Sequence, residues 1–184
     1  MITYIALLRG INVGGKNIIK MAELKKSFET LGLFNVKTYI QSGNVLFKSE
    51  ESEESLRKKI EHEIEATFGI SLSVVIRTAA EIEQIIRNCP FSETQIKEAE
   101  TLSQVESLYV LLLLHTPLEE KVPILEAYKS ENDEYKIIGR DVFLLFKNSV
   151  RNSKLAANLY RLEVPSTMRN WKTINKLADL AKDI

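Results

Sequence analysis

Residues 36–48 have the sequence VKTYIQSGNVLFK, and this stretch decides the fold. Two short runs rich in β-forming residues, 36–40 and 45–48, flank the turn-forming residues 41–44, which predicts an antiparallel hairpin. The apolar run at 3–8 predicts a buried strand ahead of the hairpin. Because a strand followed by a hairpin does not suit a purely parallel sheet, the sequence favours the α+β class.

Apolar residues with helical spacing lie on both sides of the hairpin and predict two amphipathic helices. The residues spaced three or four apart are Met21, Leu24, Phe28 and Leu31 before the hairpin, and Leu56, Ile60, Ile64 and Phe68 after it. Gly32 and Gly69 follow these runs, where a residue without Cβ can adopt the left-handed cap. A strand at 72–76 completes the order β-α-β-β-α-β, which is the ferredoxin-like pattern.

The second half of the chain repeats this order. A strand is predicted at 108–114, a helix-like segment with an irregularity at Pro123 over 117–128, and a hairpin from 135–138 and 142–147. The opening strands also match, YIALL at 4–8 against YVLLL at 109–113. We therefore predict a duplicated ferredoxin-like unit, β-α-β-β-α(-β), with mainly antiparallel sheets.

The two halves are expected to differ at their ends. Ser153 is predicted to cap one helix, and Ser166 or Thr167 a second, so that two extra C-terminal helices replace the closing strand of the second half. The polar residues 88–104 are predicted to be a loop or linker. The predicted domains are 1–100 and 101–184.

Composition narrows the classes of function. The 184 residues include 25 Lys and Arg and 25 Asp and Glu, so the net charge of zero gives no global attraction to nucleic acid or an anionic membrane. Cys89 is the only cysteine, which excludes an internal disulfide and suits a reducing compartment. The most apolar run, 108–114, is too short to cross a bilayer. We expect a cytoplasmic protein without a membrane partner.

Three motifs identify a family resemblance. LLRGINVGG at 7–15, YIQSGNV at 39–45, and Arg169-Asn170-Trp171 followed by Thr173 resemble the motifs of an uncharacterised bacterial family, the domain of unknown function 1697. The resemblance spans essentially the whole chain. It implies the duplicated ferredoxin-like architecture, and it implies no activity.

The stretch GINVGGKN at 10–17 nearly matches a phosphate-binding P-loop. Asn17 stands where that motif has the hydroxyl residue that holds Mg²⁺, and the helix is predicted to begin only near Met21. The alternative is that the glycines form turns and that Lys16 is solvated. A P-loop NTPase is not expected.

A broader anion site remains, because loops placed by a rigid scaffold often carry function. Arg9 and Lys16 flank the glycine loop, and further polar residues lie at the hairpin turn and near the last helix. The candidate ligand-binding residues are Arg9, Asn12, Gly14, Gly15, Lys16, Gln41, Ser42, Asn44, Arg169, Asn170 and Trp171. The leading hypothesis is a module that binds a small anionic, phosphorylated ligand, with Trp171 more typical of core than of a stacking platform. Alternatively, the amide side chains satisfy loop backbone.

Two other classes of function stay open. Ferredoxin-like units can pair through sheet edges, so the second hypothesis is a homo-oligomeric or protein-interaction module, although the oligomeric state is not predicted. Binding of single-stranded RNA needs aromatic residues on the sheet, and here Tyr4 and Tyr109 offer few.

Catalysis lacks recognisable groups. His62 lies among glutamates on an exposed helix face, His115 ends a strand, and neither belongs to a cluster with metal-ligand spacing. Nothing near Cys89 in sequence would activate its thiol. The sequence therefore predicts no metal site and no cofactor, and leaves open whether the protein is an enzyme.

Overall fold

The structure, a computed structural model, describes all 184 residues. The chain divides into two compact units, the first formed by Met1–Gln84 with Asn175–Ile184 and the second by Ile85–Ile174. Residue 100, near which the sequence suggested a boundary, lies within the second unit. None of the helices is long and apolar enough to cross a bilayer.

The first unit contains a four-stranded antiparallel sheet with the strand order β2-β3-β1-β4. Its elements are β1 (Ile2–Leu8), α1 (Met21–Thr30), β2 (Phe34–Tyr39), β3 (Asn44–Ser49), α2 (Glu53–Phe68) and β4 (Val74–Thr78), after which α3 (Ala79–Arg87) follows. The predicted hairpin is confirmed, with Tyr39 opposite Asn44 at its turn. The first strand lies in the middle of the sheet, so the loop that leaves it emerges beside the turn of the hairpin.

Helices α1 and α2 end where the glycine signals predict, and α2 begins at a capping serine. Ser52 caps α2, since its Oγ accepts a hydrogen bond from the Ser55 N–H at 3.3 Å. Gly32 and Gly69, with φ of +78° and +66°, take the left-handed conformation after α1 and α2. The helix lengths thus follow from local chemistry.

The core of the first unit lies between one face of the sheet and these helices. Leu24 and Phe28 of α1 and Leu56 of α2 are completely buried, which stabilises each by roughly 1.5–3 kcal/mol relative to exposure. Phe47 of β3 stacks on Tyr4 with ring centroids 5.9 Å apart. The buried apolar run of β1 and the four-residue spacing along α2 therefore both contribute to this core, as predicted.

The second unit has the same sheet plan, with the strand order β6-β7-β5-β8 and antiparallel pairing throughout. Its elements are α4 (Glu93–Ser103), β5 (Leu108–Leu113), a 3₁₀ segment (Glu119–Tyr128), β6 (Asp133–Ile138), β7 (Asp141–Phe146), α5 (Lys154–Asn158) and β8 (Ser166–Asn170), with α6 (Trp171–Lys182) following. Short 3₁₀ segments, Val150–Asn152 and Leu159–Leu162, flank α5. The predicted α+β class and duplicated order are confirmed.

The prediction that the second half lacks a closing strand is wrong. Residues Ser166–Asn170 pair with β5, so that the second sheet is closed like the first. Ser166 and Thr167 are buried within this strand and cap no helix, while Asn170 Oδ1 accepts from the Thr173 N–H at 2.8 Å where α6 begins. The strand was missed because it buries polar residues, including Arg169, and so has no apolar alternation.

The prediction of a loop or linker over residues 88–104 is also wrong, since most of this stretch is α4. Ser92 Oγ accepts from the Gln95 N–H, and the Gln95 side chain accepts from the Ser92 N–H, which forms a capping box. Only Ala99 of this helix is buried. A helix with so few buried residues has almost no apolar stripe to reveal it in the sequence. The signal that was present is the capping-box pair, Ser92 and Gln95.

The helix-like segment before β6 is a 3₁₀ helix. Pro123 lies inside it, and Leu125 is its buried residue. Since proline has no N–H to donate in a regular α-helix, the irregularity predicted at this position extends to the whole segment.

Candidate functional site

The loop between β1 and α1 forms a miniature hairpin. The Asn12 N–H donates to Asn17 O at 3.1 Å, and the Lys16 N–H donates to Val13 O at 3.0 Å. The two turn positions, Gly14 and Gly15, have φ of +58° and +73°. Positive φ at both central positions is typical of a type I′ turn, which explains why glycine occupies both.

Asn12 anchors this miniature hairpin at its base. Its Oδ1 accepts from the Ile19 N–H at 2.8 Å, while its Nδ2 donates to Ile19 O at 3.0 Å and to Gln41 O at 2.9 Å. The side chain therefore joins the glycine loop to the turn of the β2–β3 hairpin. Through these three hydrogen bonds, Asn12 pairs with backbone groups of the loops, which is the alternative to ligand binding that the sequence left open.

Asn17 holds the other end of the loop, and it was not among the predicted site residues. Its Nδ2 donates to Gly10 O at 3.0 Å, and its φ is +50°. Asparagine is one of the few residues that tolerates this left-handed conformation. The signal was present in the Gly-Lys-Asn sequence, where a turn-forming residue follows the turn.

Gly43 brings the hairpin turn against the glycine loop. Its φ is +81°, and a Cβ at this position would lie 2.8 Å from Leu8 Cβ and 2.9 Å from Ile11 Cδ1. Gly43 O accepts from the Leu8 N–H at 2.8 Å. The structure thus places residues 9–20 and 40–44 side by side, and we call these two segments the rim.

Asn44 and Ser42 stabilise the turn itself. Asn44 is fully buried, and its Nδ2 donates to Tyr39 O and to Ser42 Oγ, both at 3.0 Å. A fully buried amide cannot reach a solvent-borne ligand without a rearrangement. Its role in this structure is to shape the turn.

The charged side chains of the rim face solvent. Arg9 and Lys16 are exposed and form no ion pair. Lys20 forms an ion pair with Glu23, with its Nζ 3.9 Å from Glu23 Oε1. Residues 1–22 contain three cationic side chains and no acidic one, and residues 30–49 are likewise free of Asp and Glu. In a chain of zero net charge, the rim is locally positive.

The remaining predicted residues belong to the second unit. Arg169 is buried, and its Nη1 donates to Thr167 Oγ1 at 2.7 Å and to Met168 O at 2.9 Å. Removal from water lowers the pKa of Arg169 to about 10. Asn170 caps α6, and Trp171 is half-buried. These contacts make Arg169 and Asn170 parts of the strand and helix end of their own unit.

None of the histidine and cysteine side chains that could serve in catalysis is a residue of the rim. His62 is exposed on α2, and the ring Nδ1 of His115 lies 3.0 Å from Thr116 O. Burial raises the pKa of Cys89, whose Sγ donates to Phe91 O at 3.6 Å. No group of three or more His, Cys, Asp or Glu side chains is arranged to hold a metal ion. The rim itself supplies cations and hydrogen-bond donors, which suit binding.

Comparison with known proteins identifies one solved structure and one family that the chain resembles. The chain is similar to the conserved bacterial protein SP0830 from Streptococcus pneumoniae, with a TM-score of 0.74 and 27% identity over 98% of both chains. No curated protein matches it. The model of the family described as "Protein of unknown function (DUF1697)" matches residues 1–143, which include the glycine loop and the hairpin turn. The chain belongs to this family.

Proposed function

We propose that the protein is a cytosolic module that binds a small anionic, phosphorylated ligand at the rim. The observation that carries the proposal is the unpaired positive charge of Arg9 and Lys16 on a loop with no acidic residue. Exposed glycine backbone beside them can offer N–H groups to phosphate oxygens. The single cysteine supports a reducing compartment.

The construction of the loop favours binding. Asn12 and Asn17 fix the miniature hairpin through side-chain hydrogen bonds to Ile19, Gln41 and Gly10. A loop already fixed in one conformation loses less entropy when a ligand binds, so more of the electrostatic attraction contributes to affinity. These amide side chains therefore support the proposed site indirectly, and Arg9 and Lys16 are the groups expected to touch the ligand.

Binding can be tested with inorganic phosphate, pyrophosphate, ATP and glucose 6-phosphate as probes, with isothermal titration calorimetry as the measurement. We expect at least one probe to bind, and Arg9→Ala and Lys16→Ala each to weaken it roughly tenfold through loss of a charge-assisted hydrogen bond. Affinity should also fall with added salt.

The matched control is Lys58→Ala on α2, which removes an exposed lysine outside the rim. Its dissociation constant should equal that of the unaltered protein. The proposal is wrong if none of the four probes binds, or if Lys58→Ala weakens binding as much as Arg9→Ala does.

Assembly through sheet edges is the first alternative. The edge strand β2 carries a register shift between Phe34 and Lys37 and exposes the Lys37 side chain. Bulges and edge lysines are devices that hinder strand addition, so this edge is poorly suited to it. Solution mass by light scattering decides the matter, because a tight oligomer would favour assembly over ligand binding.

Recognition of single-stranded RNA is the second alternative. This hypothesis relies on Tyr4 and Tyr109 to stack with bases. The ring centroid of Tyr4 lies 5.9 Å from that of Phe47, and the ring centroid of Tyr109 lies 5.8 Å from that of Phe146. Rings packed in this way offer little surface for stacking with bases, which weighs against the hypothesis. Gel-shift binding that weakens steeply with salt would restore it.

A further inference from the structure

A polar cavity of about 350 Å³ lies within the second unit, in loops to which the sequence assigned no role. One wall is formed by residues 127–130, 132 and 133, where the chain leads from the 3₁₀ segment into β6. The other is formed by residues 148, 149 and 152–154, where it leads from β7 into α5. The volume is sufficient for roughly ten water molecules. Its size therefore suits a small solute.

The floor of this cavity is built from residues that fix each other. Ser153 Oγ donates to Asp133 Oδ2 at 2.9 Å and accepts from the Ala156 N–H at 3.0 Å. The Lys147 N–H donates to Asn132 O at 2.8 Å, which joins the two walls through backbone. The carboxylate of Asp133 is thus held in place before any ligand arrives.

Asp133 is the feature that points to a ligand. It is only 5% exposed, lines the cavity, forms no ion pair and makes a single side-chain hydrogen bond, the one from Ser153. Burial of a carboxylate is costly unless cationic or hydrogen-bonding groups surround it. Its second oxygen, Oδ1, makes no hydrogen bond within the protein and is accessible to solvent, so it can accept a donor from a molecule in the cavity.

The other lining residues have opposite charge and unused hydrogen-bonding capacity. Lys129 and Lys154 are exposed and form no ion pair. The side chains of Asn132, Asn148 and Asn152 make no hydrogen bond within the protein. The cavity thus combines one buried anion, two cations that solvent can reach, and three amides able both to donate and to accept.

We propose that this cavity binds a small zwitterion of amino-acid size, whose ammonium group donates to Asp133 and whose carboxylate faces Lys129 and Lys154. A charged donor offsets the burial of a carboxylate better than a neutral hydroxyl does, because charge-assisted hydrogen bonds are roughly twice as strong. A purely cationic ligand would be repelled by the two lysines. A purely anionic one would be repelled by Asp133. A ligand with both charges complements the whole lining.

The test is a binding screen by NMR on the ¹⁵N-labelled full chain, with the protein amino acids as probes and glucose as the neutral comparison. We expect at least one amino acid to bind saturably and to shift the backbone signals of residues 127–133 and 148–154. Its N-acetyl derivative, which lacks the ammonium group, should lose binding. Its amide, which lacks the carboxylate, should bind more weakly.

Two substitutions localise the effect. Asp133→Asn should weaken binding roughly 10- to 100-fold, as expected for the loss of a hydrogen bond between charged groups. The matched control is Glu131→Gln, since Glu131 is exposed, lies two positions away and does not line the cavity. The dissociation constant of this control should not change.

Since Asp133 also supports the fold, Asn152→Ala provides a second line of evidence. Asn152 is exposed and its side chain has no bond within the protein, so the variant should fold normally and weaken binding roughly threefold to tenfold. The proposal is overturned if no amino acid binds, if the N-acetyl derivative binds as well as its parent, if glucose alone binds, or if Asn152→Ala has no effect on affinity.

Discussion

The rim of the first unit and the cavity of the second use the same residue type in opposite ways. At the rim, the side chains of Asn12, Asn17 and Asn44 are all hydrogen-bonded to the backbone of their own loops. Around the cavity, those of Asn148 and Asn152 bond to nothing within the protein. An asparagine in a recognisable motif can therefore serve to fix a loop. One in a loop without a motif can keep its side-chain donors and acceptor unpaired within the protein.

The largest expected effect on stability distinguishes a glycine in the β2–β3 turn from one in the β6–β7 turn. Gly43→Ala should reduce the free energy of unfolding by about 3 kcal/mol, because positive φ and the contact with Leu8 Cβ both oppose the new methyl group. Gly139 occupies the turn between β6 and β7 with φ of +60°, and a Cβ added there would meet no atom within 4 Å. Gly139→Ala should cost only about 1 kcal/mol, from the backbone conformation alone.

Urea unfolding of both variants measures this difference. Equal losses of stability would show that the close approach between the turn and the glycine loop contributes nothing, and the description of the rim would then be wrong.

The second test compares two asparagines. Asn12→Ala removes three hydrogen bonds and should cost about 2–3 kcal/mol, whereas Asn152→Ala should change stability by less than about 0.5 kcal/mol. Hydrogen exchange gives a local readout, since the Ile19 N–H loses its acceptor in the first variant and should exchange faster. An unchanged exchange rate at Ile19 would contradict the anchoring role of Asn12.

The third test compares two helix caps. Ser153→Ala removes the cap of α5 and the only hydrogen bond to the Asp133 side chain, and should cost about 2 kcal/mol. Ser52→Ala removes only a cap of α2, with an N···O distance of 3.3 Å, and should cost about 0.5–1 kcal/mol. Chemical denaturation measures both, and an inverted order would mean that Ser153 does not support the cavity floor.

The smallest effect concerns alkaline pH. Burial, and then the hydrogen bond to the negatively charged Glu126, raise the pKa of Tyr135 to about 12. Because the folded-state pKa lies above the usual value of 10.0, the stability from this phenol is fully present below pH 10 and is lost as the pH rises towards about 12. The free-energy difference between the unaltered protein and Tyr135→Phe should therefore shrink over this range. A difference that stays constant would contradict the raised pKa.

Sequence reasoning recovered most of the fold because apolar spacing and glycine signals agree with it. Leu56, Ile60 and Ile64 are all buried, as their spacing predicted, and Ser153 caps its helix. It failed for elements in which polar residues are buried or in which few residues are buried. The strand β8 buries the polar residues Ser166, Thr167 and Arg169, and α4 buries only Ala99. Neither element therefore has the regular spacing of apolar residues on which the prediction relied.

The candidate sites were predicted less completely. The motif at 10–17 identified the glycine loop correctly, and the turn at 41–44 proved to lie beside it. Hydrogen bonding then assigned Asn12 to the loop itself, which no spacing rule reveals. The cavity around Asp133 depends on two segments separated by the whole β6–β7 hairpin, and only their three-dimensional proximity makes the carboxylate conspicuous.

The 3₁₀ segment of the second unit has a consequence for how the duplicated halves can diverge. It contains 10 residues, the same number as α1 in the corresponding place of the first unit. At a rise of roughly 2.0 Å per residue instead of 1.5 Å, the same length of chain reaches about 5 Å further and forms a narrower rod. One proline in the connection between two strands can thus accompany a change in the length and width of the segment that covers a sheet, without the insertion of a single residue.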